Sequence, residues 1–229
     1  VRGNQRDTII TLLAEAIRPT GGSIASADGM ATAVFEPATI YHDFEGRIVQ
    51  AVVPLDVASP VGAAYRFEPG VVPFRQMVQI HLKVPPGQDH AGLGVYELTE
   101  GGWSFVWNDV DSTRNSVWAG VRHFSVYALL RDEVPPEVEI RHPRDGVTTT
   151  PLPTIEVGLR DSLSGIPMEN LISFKLDGQT TLFEYDPEED VAKGILRRPL
   201  TVGSHELEVR VRDTCGNESV AISRFVVSD

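Results

Sequence analysis

The 229-residue chain predicts an all-β fold: two tandem antiparallel β-sandwiches joined by a short proline linker. Three observations carry that expectation. Short apolar, β-branched runs with period-two alternation recur along the chain, most cleanly in residues 77–84, where Val78, Ile80, Leu82 and Val84 fall on one face and Gln79, His81 and Lys83 on the other. The 20 glycines and 16 prolines are scattered between those runs, as an all-β chain with many turns requires. Finally, Arg131-Asp-Glu-Val-Pro-Pro136 gathers charge and paired prolines at one point, which favours an extended, stiff connection. The expected boundaries are 1–19 for a leading strand or inter-domain segment, 20–131 for the first sandwich, 132–136 for the linker and 137–229 for the second sandwich.

Residues 8–17 fit a helical stripe and a strand face equally well; their context favours a strand, ended by Pro19, Gly21 and Gly22. Residues 31–35 and 47–53 are β-rich runs stopped by Pro37 and Pro54. A turn-rich interval carries Tyr65-Arg-Phe-Glu-Pro-Gly70. After the alternating strand at 77–84, Pro85, Pro86 and Gly87 close the run, and residues 93–98 and 103–107 form a hairpin around Glu100-Gly101-Gly102. Residues 117–130 read as one closing strand that leads into the linker.

Beyond the linker, strands are expected at 137–140, 154–159, 172–176, 182–185, 194–197, 205–212 and 220–227, with a tight corner at 161–166 and a hairpin dipeptide at Asp177-Gly178. Strands spaced this closely signal an immunoglobulin-like sandwich.

Two resemblances accompany this reading. The ordered series Gly21-Gly22, Phe35-Glu-Pro37, Tyr65-Arg-Phe-Glu-Pro-Gly70, Phe74, Val78-Gln-Ile-His-Leu82, Pro85, Val95-Tyr96, Trp103 and His123-Phe-Ser125 resembles the ZU5 domain family over residues 20–131. That resemblance implies a β-sandwich of a kind used as a spectrin-binding or signalling module in animals and as a part of large secreted surface proteins in bacteria. The animal reading is disfavoured, since the segment after the linker does not resemble the partner domain usually found there. Asp161, Ser164-Gly165-Ile166, Leu176-Asp-Gly178, Gly203-Ser-His205, Asp213-Thr-Cys-Gly-Asn217 and Phe225-Val-Val227 resemble the immunoglobulin-like repeats of bacterial extracellular proteins.

Composition narrows the function. With 32 acidic against 20 basic side chains the net charge is −12, a surface that repels phosphate backbones, so nucleic acid is not an expected partner. No apolar run reaches the ~20 residues of a membrane-spanning helix, and the start at Val1, without a signal peptide, suggests a processed product or an excerpt. The single cysteine, Cys215, leaves no internal disulfide and is expected to act as a small packed hydrophobe.

Three candidate sites remain. His123 and Ser125 flank Phe124, and some relatives of the first family cut themselves at such a tripeptide; here the Ser125 hydroxyl would attack the Phe124 carbonyl with His123 as general base, and water would resolve the resulting ester; the alternative is Phe124 in the core between two polar neighbours. Trp103, Phe105 and Trp107, joined by Trp118, are expected on one strand face, either as core or as a glycan-stacking row. Asp161, Asp213 and Asn217 sit in turn motifs and either cap their own backbone or supply oxygens to calcium. The acidic run 185–190 is read as a solvated hairpin loop, and six histidines without a close pair give zinc little support. Paired glycosidase carboxylates, a nucleophile elbow, a P-loop and a dinucleotide fingerprint are missing. The expectation is a non-catalytic spacer and interaction module of a secreted or surface-anchored bacterial protein, in contact with neighbouring domains or subunits. Carbohydrate binding and self-cleavage are the alternatives.

Overall fold

A computed structural model describes residues 14–53, 59–70 and 72–228. The expected strand at 8–17 therefore lies largely outside the described residues. The protein is all-β, and the chain divides into two compact units: Val1–His90 with Gly94–Leu130, and Ala91–Leu93 with Arg131–Asp229.

In the first unit the strands are β1 (Glu15–Ile17), β2 (Gly22–Ala25), β3 (Ala31–Phe35), β4 (Phe44–Ala51), β5 (Ser59–Pro60), β6 (Ala64–Glu68), β7 (Val78–Lys83), β8 (Leu93–Thr99), β9 (Gly102–Trp107), β10 (Asp109–Asp111), β11 (Ser116–Val121) and β12 (Val126–Arg131). They form a seven-stranded sheet in the order β1-β4-β6-β12-β8-β9, with β5 beside β12, and a five-stranded sheet in the order β10-β11-β7-β3-β2. Period two builds the inner face: Ala31, Ala33 and Phe35 of β3 alternate inward, and β7 sets Leu82 and Ile80 opposite Ala31 and Ala33. The expected turn-rich interval at 65–70 is instead a ladder strand, β6, paired along β4. Val49, Arg66 and Val126 share one cross-strand row there, so the charged Arg66 rides on a solvent-side position of a regular strand.

Residues 117–130 are not one strand but two, β11 and β12, in different sheets. The break at 122–125 exists because Phe124 turns inward. Its buried ring meets Phe35, Phe74 and Phe44 edge-on, at centroid distances of 5.9, 4.9 and 6.3 Å, and Phe67 at 5.5 Å. Phe35 belongs to one sheet and Phe67 to the other, so a single ring seals both.

The second unit contains β13 (Glu137–His142), β14 (Thr148–Thr149), β15 (Ile155–Arg160), a one-turn 3-10 helix at Glu169–Leu171, β16 (Ile172–Leu176), β17 (Gln179–Asp186), β18 (Val191–Ile195), β19 (Gly203–Arg212) and β20 (Glu218–Val227). The pairing order is β13-β15-β18-β17-β16-β19-β20-β14. β17 belongs to both halves, since residues 179–181 pair with β16 and residues 182–186 with β18. The sheet thus doubles over one core that joins Ile155, Val157 and Leu159 to Phe174, Leu207, Val209 and Phe225. Phe183 of β17 stacks on Phe174 at 4.8 Å inside that core. Asp177 and Gly178, at φ 50° and 76°, make the two-residue hairpin that their pairing predicted. Among the described residues no helix is long and apolar enough to cross a membrane.

Candidate functional site

The most concentrated chemistry lies at one end of the second unit, where the corner at 161–165, the turn at 213–217 and the entering segment at 132–134 converge. Each carboxylate is placed by short-range hydrogen bonds. Asp161 Oδ1 accepts the amides of Leu163 at 3.0 Å and Gly165 at 2.6 Å. Asp213 accepts the Asn217 amide at 2.9 Å and the Asn217 side-chain Nδ2 at 2.8 Å. Asp132 accepts Val134 N on Oδ1 at 3.0 Å and Ser164 N on Oδ2 at 3.1 Å. A ligand oxygen from each of Asp132, Asp161 and Asp213 falls within 4.8 Å of the others.

The aspartates cap their own loops, and they also gather into one group. Asn217 sits against the same group. Its Nδ2 donates to Asp213 Oδ2 and to the Asp132 carbonyl at 3.1 Å, so it clamps the group together. The third carboxylate is Asp132, which the sequence placed in the linker. Its signal was an acid just ahead of a proline pair, indistinguishable by sequence from the solvated charge of Glu133.

Like charges held this close resist ionisation. Burial lifts the carboxyls of Asp161 and Asp213 above the ordinary aspartate value; local hydrogen bonds oppose the rise, and the charge of Asp132 adds to it. The donor set is all oxygen, without thiolate or imidazole, which suits calcium and not zinc. Ser164, 3% exposed, keeps its hydroxyl without a hydrogen-bond partner in the same corner, a further oxygen beside the three carboxylates. Asp132, Asp161 and Asp213 are the residues that would hold such an ion. Cys215 is half-buried in the 213–217 turn.

The other two candidates lie in the first unit. His123 and Ser125 lie in the bend before β12 rather than on a strand face. His123 Nε2 sits 2.7 Å from Glu97 Oε1, its carbonyl accepts Tyr127 O–H at 2.9 Å, and the Ser125 carbonyl accepts Phe67 N–H at 2.9 Å. His123 is directed to Glu97 and not to the Ser125 hydroxyl. The aromatic row is split. A register shift between Val95 and Tyr96 sets Phe105 opposite Tyr96 but Trp107 opposite Val95. Because neighbouring residues of β8 face opposite ways, Trp107 leaves the face that Trp103 and Phe105 share. Phe105 is seated edge-on against Tyr96 at 5.3 Å and over Gly94, where an added Cβ would come within 2.7 Å of its ring. Trp118 stands on the other sheet, stacked with His81 at 5.9 Å.

No family model matches the chain, and no curated protein matches it. Among solved structures it is similar to dimeric latent PorU from Porphyromonas gingivalis, with 14% identity and a TM-score of 0.35, over 82% of this chain and 26% of that one. The chain thus spans about a quarter of that protein's length, and a likeness of this degree assigns neither family nor activity.

Proposed function

We propose that the chain is a non-catalytic structural segment of a secreted or surface-anchored bacterial protein, a spacer and interaction module whose second unit is stiffened by calcium. The observation that carries this reading is the tethering of Asp132. Its carboxylate and carbonyl accept three hydrogen bonds, two of them from the corner and turn loops at 161–165 and 213–217, so the segment entering the second unit is fastened to that unit's end. Calcium bound by Asp132, Asp161 and Asp213 would cancel their mutual repulsion and lock that entry. A spacer under tension needs separate cores and a secured point of entry. The second unit has a core of its own, and the site offers chemistry for holding rather than for turnover.

Single-molecule stretching of the whole chain tests this. Two separate unfolding events are expected, the one belonging to the second unit moving to higher force when calcium is added. One merged event, or two events both indifferent to calcium, would refute the proposal.

A further inference from the structure

The outward face of the five-stranded sheet carries a second group of polar side chains, built on β2, β3, β7 and β11. The register sets Thr32 and Trp118 on either side of His81, and Ser116 beside Lys83. A histidine on an outward row is ordinarily solvated, but His81 is 6% exposed. Trp118 stacks on one side of it, and Arg114 Nη1 lies 3.3 Å from its Nε2. A guanidinium only donates, so Nε2 is the lone-pair nitrogen and the ring proton sits on Nδ1, 3.3 Å from Ser116 Oγ. Burial, then the charge of Arg114, hold His81 below its ordinary value, against the pull of Asp111. His81 is thus a neutral donor to Ser116 and not its base, so the pair is no nucleophilic dyad.

What the arrangement does supply is a donor-rich groove. A cavity of about 610 Å³ opens over these strands, lined by Ser23, Thr32, Lys83 and Arg114 beside the buried His81 and Ser116. Arg114 shares its Nε with Asp111 at 3.5 Å and is otherwise about half exposed. Among the described residues Lys83 has no carboxylate within ion-pair distance. Two cations against one acid is a local reversal in a chain of net charge −12. The neutral His81 adds no charge and fixes the guanidinium from behind. The volume matches a small ligand of one to three rings, and the hydroxyls of Ser23 and Thr32 flank the cations.

We infer that this groove binds an acidic saccharide, its carboxylate or sulfate group held by Arg114 and Lys83 and its ring hydroxyls by Ser23 and Thr32. Calorimetric titration of the whole chain with a sulfated uronic-acid disaccharide, with maltose and with inorganic sulfate tests the assignment. The acidic disaccharide is expected to bind at least about tenfold more tightly than either control, and Arg114→Ala and Lys83→Ala each to weaken it about tenfold. Lys83→Ala removes an exposed side chain, so loss of binding there with an unchanged circular dichroism spectrum cannot be ascribed to misfolding. Equal binding of maltose, or acidic binding untouched by both substitutions, overturns the proposal; inorganic sulfate binding as tightly as the disaccharide overturns its saccharide part.

Discussion

His205 shows how one side chain can be tied into a fold by its protonation state. It is 8% exposed, with Nδ1 at 2.7 Å from Asp177 Oδ2 and Nε2 at 2.8 Å from the Thr201 carbonyl, and its ring stacks on Phe225 at 5.7 Å. Burial alone would depress its pKa, but these two acceptors outweigh it and raise the value above the ordinary 6.5. A group whose folded pKa is raised adds stability that is fully present below its unfolded value and is lost as pH rises through the folded one. Chemical denaturation of the chain should therefore show the second unit weakening from about pH 6.5 upward, and His205→Gln should flatten that slope while costing roughly 1–3 kcal/mol. An unchanged slope in the variant would refute the assignment. Asp132 teaches the complementary lesson at the same scale. Asp161 and Asp213 were legible because turn motifs name them, whereas Asp132 becomes a site residue only through hydrogen bonds to loops 32 and 85 positions away.

Among the elements, strands with clean alternation were legible, and those whose identity depends on a partner were not. β3, β7, β16 and β19 carry their inward rows in the sequence itself. β11 and β12 looked like one run because apolar residues continue across the bend, and only the aromatic cluster around Phe124 reveals that the chain changes sheets there. The Trp103–Phe105–Trp107 row failed for a related reason, since a one-residue register shift has no sequence mark but reverses a face. Phe124→Ala should cost the first unit about 3–5 kcal/mol in equilibrium denaturation, as expected for deleting a ring at the centre of a packed cluster. Conversely, the purified chain should run as a single band of 25.1 kDa on a denaturing gel, and Ser125→Ala should leave it unaltered. Two fragments in the parent that vanish in Ser125→Ala would establish self-cleavage at the bend.

At the scale of the molecule, the two units should respond differently to calcium, because the carboxylate group belongs entirely to the second. Without the ion, Asp161 and Asp213 have raised folded values, so that unit loses stability as pH rises through their titration. Calcium at a hundred times its dissociation constant should add roughly 2.7 kcal/mol to the second unit and nothing to the first. Asp132→Asn should remove most of that gain, and calorimetric scans in which both units shift together, or neither does, would contradict the assignment. The broad plan of two sandwiches was written in the strand pattern, and turn motifs marked Asp161 and Asp213; the place of Asp132 beside them and the donor-rich groove were not legible, since each depends on residues distant in sequence.

β17 has one more implication. A polypeptide broken in the exposed loop 187–189 would leave both of that strand's neighbours with complete ladders, so the two pieces could remain docked as a split pair. A break between Thr181 and Leu182 would divide the strand that stitches the two faces of the second unit together, and neither piece would carry the seam.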